Sequence, residues 1–135
     1  MFLLDTNIVS ELRRQRPHGA VLAWLENMAD QDLHLSAVTL AEIQAGIEIT
    51  RERDADKAAE IEGWLDQVSS TYNILAADAV IFRQWAKLMH RQQEHLIEDA
   101  LIAATALVHG LTIVTRNVAD FEGFGVGLLN PFSPV

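Results

Sequence analysis

Four acids in this chain stand where a fold could gather them for metal-assisted chemistry: Asp5, Glu42, Asp99 and Asp120. Asp5 closes the apolar run Phe2-Leu3-Leu4, Asp99 opens a nearly apolar stretch over 99–108, and Asp120 follows the run 111–115 after a short loop. Acids at strand ends and helix starts can meet at one edge of a sheet. Each also has an ordinary structural use, Asp5, Thr6 or Asn7 as a cap of the first helix and Asp99 as a charge offsetting a helix dipole. Glu42 has the strongest such use, because Thr39-Leu40-Ala41-Glu42 has the spacing of a capping box.

If the four carboxylates meet, each contact at about 4 Å costs about 4 kcal/mol at an effective dielectric near ~20, so a bare cluster opposes folding. A divalent cation removes that cost. Carboxylate oxygen suits Mg2+, with Mn2+ as a substitute, and Mg2+ keeps several waters, leaving room for a phosphate and an attacking water. The chemistry expected of such a centre is hydrolysis of a phosphodiester.

The elements that would position these acids can be read from periodicity. Phe2-Leu3-Leu4 reads as a buried strand feeding a helix marked by Ile8, Val9 and Leu12, with Asp5 at the strand's carboxyl end. A second helix is expected from near Pro17 to Met28, then a strand over 33–36 and a helix from Val38 to about Thr50 with Leu40, Ile43 and Ile47 on one stripe. After a charged turn over 51–54, two amphipathic helices are expected, one carrying Ala58, Ile61, Trp64, Leu65 and Val68. The other follows a cap at Asp78 and carries Ile81, Trp85, Leu88 and Met89; together they read as a helical arm. Asp99 begins a buried helix stopped by Gly110, and strands over 111–115 and 126–129 complete the chain before Asn130-Pro131. Alternating strands and helices imply one α/β domain over 1–135, a mostly parallel sheet covered on both faces, with its ligand site beyond the strands' carboxyl ends.

Composition sets the class. The chain has 135 residues, half of them hydrophobic, which fits a folded domain rather than a disordered chain. No apolar run is long enough to span a bilayer and no basic leader precedes one, so a cytoplasmic protein is expected, with no membrane partner. Cysteine is absent, which excludes disulfides, thiolate nucleophiles and cysteine-based zinc sites. The net charge of −9 opposes passive nucleic-acid binding, unless cations neutralise acid gathered in one site. His18, His34, His90, His95 and His109 show no metal-ligand spacing. Arg13, Arg14 and Arg16, after the first helix, could hold substrate phosphate or simply answer the helix dipole. Trp24, Trp64 and Trp85 sit on apolar stripes and read as core or as a partner's groove rather than base-stacking platforms.

Four blocks together, Phe2-Leu3-Leu4-Asp5-Thr6-Asn7, Ser36-Ala37-Val38-Thr39-Leu40-Ala41-Glu42, Asp99-Ala100-Leu101-Ile102-Ala103-Ala104 and Thr115-Arg116-Asn117-Val118-Ala119-Asp120-Phe121, resemble the signature blocks of the PIN-domain family in order. The resemblance spans nearly the whole chain and is strongest to the VapC-type toxins of bacterial toxin–antitoxin modules, including the Asn-Pro near the end. It implies an α/β/α sandwich and an endoribonuclease dependent on magnesium or manganese that cuts RNA. It also implies dimerisation and inhibition by a cognate antitoxin docked across the site. Carried over by position, it makes Asp5, Glu42 and Asp99 metal-binding catalytic carboxylates, with Thr6, Asn7 and Thr115 as polar neighbours; of the arginines read above, Arg13 is the one taken as a candidate for the substrate. Many PIN domains have an acid at the position of Asn117, and the toxin branch often has one at that of Asp120; Asp120 is taken as the fourth ligand and Asn117 as a polar neighbour.

Rival readings are weaker. A phosphoacceptor signalling domain needs a lysine after a late strand, and Lys57 and Lys87 both fall within expected helices. A haloacid-dehalogenase-like phosphatase needs an aspartate where Asn7 stands. The remaining alternative is a non-catalytic PIN-fold interaction module, against which retention of the principal acids speaks, since burying unused like charges has a cost.

Overall fold

The computed structural model describes residues 1–132. Five short strands, β1 (Phe2–Leu4), β2 (Leu33–Ser36), β3 (Asn73–Leu75), β4 (Thr112–Val114) and β5 (Leu128–Leu129), form one sheet in the order β3-β2-β1-β4-β5 with every pair parallel. Parallel neighbours need crossovers, which here are helical. α1 (Thr6–Glu11) and α2 (Gly19–Glu26) lead from β1 to β2, and α3 (Ala37–Arg51) and α4 (Ala55–Thr71) from β2 to β3. α5 (Ala79–Met89) and α6 (Ile97–His109) lead from β3 to β4, and the short α7 (Val118–Phe121) from β4 towards β5.

Side chains alternate across a strand, and the alternation sorts the core into two layers. Leu3 and Ile113 pack with Ala103 and Ala106 of α6, Phe121 of α7 and the half-buried Trp85 of α5. Leu4, Leu35 and Val114 pack with Ile8 and Val9 of α1, Val21 and Leu25 of α2 and Val68 of α4. Helices therefore cover both faces, and the result is the expected α/β/α sandwich. Among the described residues, no helix is long and apolar enough to cross a membrane.

Three expectations are corrected. The helices carrying Trp64 and Trp85 do not form one arm: α4 pairs with α3 through Ile47, Ala58 and Leu65, while α5 packs on α6, so the two tryptophans lie in separate clusters on opposite sheet faces. β3 and α7 fall in stretches read as loop or left unassigned, because three or four residues are too few for a period to register. The capping box at Thr39 is not formed. Ser36 caps α3 by accepting from the Val38 N–H at 3.1 Å, and Thr39 is fully buried inside the helix, which leaves Glu42 available for other work.

The strand order places the site. From β1 the chain crosses outward to β2 and β3, then returns beside β1 as β4 and crosses the other way to β5, so the order reverses between β1 and β4. Ligands in open parallel sheets bind at such a reversal. Register pairs Leu4 with Val114 and the Asp5 N–H donates to the Val114 carbonyl at 2.9 Å, which sets Asp5 and Thr115 side by side at the mouth.

Candidate metal centre

Asp5 combines two of the roles that its sequence position allows. One carboxylate oxygen, Oδ1, caps α1 by accepting from the Thr6 N–H at 2.8 Å. The other, Oδ2, accepts from the Thr115 hydroxyl at 2.8 Å and from Asn7 Nδ2 at 3.2 Å. Asp5 is only 5% exposed, so burial pushes its carboxyl above the ordinary range, Thr115, Thr6 and Asn7 oppose the push by hydrogen bonding, and Asp120 adds to it by repulsion. Asn7 and Thr115 extend the clamp: Asn7 Nδ2 also donates to Thr115 Oγ1 at 3.3 Å, Asn7 Oδ1 accepts from the Arg116 N–H at 3.2 Å, and Thr115 Oγ1 accepts from the Asn117 N–H at 3.0 Å.

Glu42 reaches the same mouth from the second turn of α3. Thr6 Oγ1 lies 3.1 Å from Glu42 Oε1 and 3.1 Å from the buried Thr39 Oγ1, which ties α1 to α3 directly over the strand ends. Asp99 arrives from α6, as its third residue rather than its first. A first-turn acid is favoured by the helix dipole by about 0.3 to 1 kcal/mol when exposed and up to about 2 kcal/mol when partly buried. Burial, then Asp5, Asp120 and Glu98, outweigh it, and Asp99 is pushed up to about 6 despite the help of His95. Glu42 is pushed up to about 7, by burial first and then by Glu98, with Asp5 and Asp99 adding repulsion against the Thr6 hydrogen bond.

Asp5, Thr6, Asn7, Ser10, Glu42, Asp99 and Asn117 line one open pocket of about 400 Å³. Asp120 stands at its border, exposed on α7 and near enough to repel Asp5 and Asp99, while Asn117 forms part of the wall. Arg13 faces an adjoining hollow of about 340 Å³ that shares Thr6, Ser10 and Glu42 and ends on Ile61 and Trp64. Sequence reasoning passed over Ser10 and Glu98. Ser10 follows Asn7 by three positions, hence on the same helix face, and Glu98 adjoins Asp99.

As the side chains stand, no three His, Asp or Glu among the described residues converge to ligate one ion together. Mg2+ takes one or two direct carboxylates and keeps several waters. The all-oxygen donor set and the upward push on three acids both fit a divalent cation there. They also predict the behaviour of the metal-free protein. Carboxylates whose proton affinity is raised by folding stabilise the fold while protonated, and that contribution is lost as pH rises through their folded values. Asp99 places its loss between pH 3.8 and about 6, and Glu42 between pH 4.5 and about 7, so the whole is complete just above pH 7. Discounted for their partial exposure, the two lower the melting midpoint in chelator by about 5 °C from pH 5 to pH 8, and saturating Mg2+ restores it at pH 8. Scanning calorimetry at both pH values, with and without Mg2+, checks this; a midpoint that rises with pH in chelator contradicts it.

Comparison with known proteins gives the chain's relatives. The family model described as PIN domain matches residues 2–123. The chain is 34% identical to the VapC ribonuclease Y4jK of Sinorhizobium fredii over 99% of each protein. It superposes on FitAcB from Neisseria gonorrhoeae with a TM-score of 0.86 at 32% identity, covering 98% of this chain and 99% of that one. A toxin–antitoxin complex from Klebsiella pneumoniae is similar at a TM-score of 0.75 and 29% identity, covering 97% of this chain and 98% of that one.

Proposed function

Because the chain belongs to the PIN-domain family, we propose that it is a metal-dependent endoribonuclease, the toxin of a toxin–antitoxin pair, which hydrolyses RNA phosphodiester bonds at the pocket lined by Asp5, Glu42 and Asp99. The observation that carries this reading is the meeting of those three acids, from β1, α3 and α6, at the reversal point of a parallel sheet. Asp5, Asp99, Glu42 and Asp120 would hold the cation between them, one or two directly and the others through its waters, with Mg2+ as the resident ion, replaceable by Mn2+. When bound, the ion supplies an acidified water and neutralises charge developing on the phosphate. The chain's own residues prepare that position. Thr115 and Asn7 fix the Asp5 carboxylate so that it need not reorganise, and Thr6 fixes one oxygen of Glu42. The likeness to a toxin–antitoxin complex supports a cognate antitoxin as partner; a homodimer or a higher toxin–antitoxin assembly is the form proposed for it.

The test is cleavage of total bacterial RNA by the purified, partner-free protein in Mg2+, in Mn2+ and in chelator. Discrete fragments in either metal and none in chelator are expected. Cutting that persists in chelator, or no cutting in any condition, overturns the reading, and the second result leaves the non-catalytic interaction module in its place.

A further inference from the structure

Beside the acid pocket, and sharing Asn7 and Ser10 with it, lies a second hollow of about 200 Å³ whose chemistry is the opposite. It is lined by Arg14, Arg116, Glu11 and Phe132 as well. Arg116 lies over the Phe132 ring at 4.6 Å, a cation–π distance that orients the guanidinium without neutralising it. His18 packs its ring against Phe132 in an edge arrangement, with centroids 5.0 Å apart. Phe132 is itself set by Asn130, whose Oδ1 accepts from the Phe132 N–H at 2.9 Å, which gives the Asn-Pro near the end a physical job.

Glu11 is the one acid in this wall and it is already engaged. Its Oε1 accepts from the His18 N–H at 2.7 Å and its Oε2 lies 3.5 Å from Arg14, whose side chain stays 67% exposed. Arg116 has no ion pair among the described residues. Most cations of the chain lack one too. What sets Arg116 apart is the Phe132 ring against its guanidinium and its place, with Arg14, in a hollow that shares Asn7 and Ser10 with the acid pocket. Arg116 is also tied to the acids by one side chain: its N–H donates to Asn7, and Asn7 donates to Asp5.

We infer that this hollow is a second RNA-binding position, where Arg116 and Arg14 hold the backbone phosphate next to the one being cut and Phe132 orients Arg116. The inference rests on the ribonuclease reading for its substrate. It adds the direction of the strand, from the Arg13 hollow across the acids to the Arg116 hollow. Two guanidiniums forming charge-assisted bonds to a phosphate recognise backbone and not sequence.

The test separates binding from cutting. Affinity for a fluorescein-labelled hairpin RNA is measured in chelator across a salt series, and KM and kcat are measured in Mg2+, for wild type, Arg14→Ala with Arg116→Ala, Phe132→Ala and the control Arg83→Ala on α5. The double variant is expected to bind the hairpin about 30-fold more weakly, with a salt slope shallower by about 0.7 to 0.9, the contribution of one phosphate. Its KM rises by a similar factor while kcat falls less than about threefold; Phe132→Ala gives a smaller loss in the same direction. The metal-dependent melting shift of the double variant stays that of wild type, which a merely structural defect would not allow. Unchanged affinity and slope, or no RNA binding by wild type, overturn the inference and leave the cations to a protein carboxylate. Tight, arginine-dependent binding without cutting sinks the nuclease reading instead and leaves this position standing.

Discussion

Asp99→Asn is expected to lower kcat/KM for RNA cleavage about 1,000-fold, equivalent to about 4 kcal/mol of transition-state stabilisation, while leaving the protein folded. The amide keeps the shape of the side chain at the start of α6 and removes the charge that a cation would meet. The same change removes repulsion. Asp99 is pushed up to about 6 because burial and the neighbouring Asp5, Asp120 and Glu98 all disfavour its ionised form, so in chelator at pH 8 the variant melts at or above the wild-type midpoint. With Mg2+ the order reverses, since wild type gains the linkage free energy of binding and the variant gains less. Activity loss, metal-free stabilisation and weakened metal response form one pattern, which neither a misfolded variant nor a dipole-capping aspartate reproduces. A folded Asp99→Asn that cuts at the wild-type rate removes Asp99 from the centre.

Much of this was legible before any coordinate. Residues 33–36 and 38–50 carried periods clear enough to place β2 and α3, and with them Glu42, because regular elements several residues long repeat their pattern. Gly110 marked the end of α6 for a reason visible in the letter alone: its backbone has φ +67°, which glycine adopts without strain. What escaped was of two kinds. Asn73-Ile74-Leu75 is too short to show a period, and its place is set by partners some forty positions away: the ladder with His34, Leu35 and Ser36, and the Asn73 side-chain amide donating to the Gln31 and Leu33 carbonyls. The partnership of α4 with α3 escaped for the other reason: an apolar stripe reports that a face is buried but not against what. Pairing the Trp64 and Trp85 stripes was therefore an assumption about neighbours, and the sheet separates them. The acid cluster depends on long-range placement too, and its expectation came from the ordered blocks and their family resemblance more than from periodicity.

The residue under Asp5 offers the sharpest probe of how the site is prepared. Thr115 is fully buried and its hydroxyl makes three hydrogen bonds, donating to Asp5 and accepting from Asn7 and the Asn117 N–H. Valine fills the same volume without them. Thr115→Val leaves Asp5 Oδ2 with Asn7 alone and strands the Asn117 N–H. Stability is therefore expected to fall by about 2 kcal/mol, or roughly 8 °C in melting midpoint. The functional effect comes through Asp5. The bond from Thr115 is the largest of the influences that lower its proton affinity, so without it burial and Asp120 push the carboxyl further up. A cation must then displace a more tightly held proton, and the metal concentration for half-maximal cleavage rises about 10- to 100-fold, with the acidic limb of the pH profile moved upward. Saturating Mg2+ at pH 8, well below the melting midpoint, should bring cleavage back towards wild type. Thr115→Ser, which keeps the hydroxyl and loses only a methyl group, should retain both metal affinity and pH profile. A valine variant with the wild-type metal titration would mean that Thr115 serves the fold alone and that Asp5 needs no help to meet its ion.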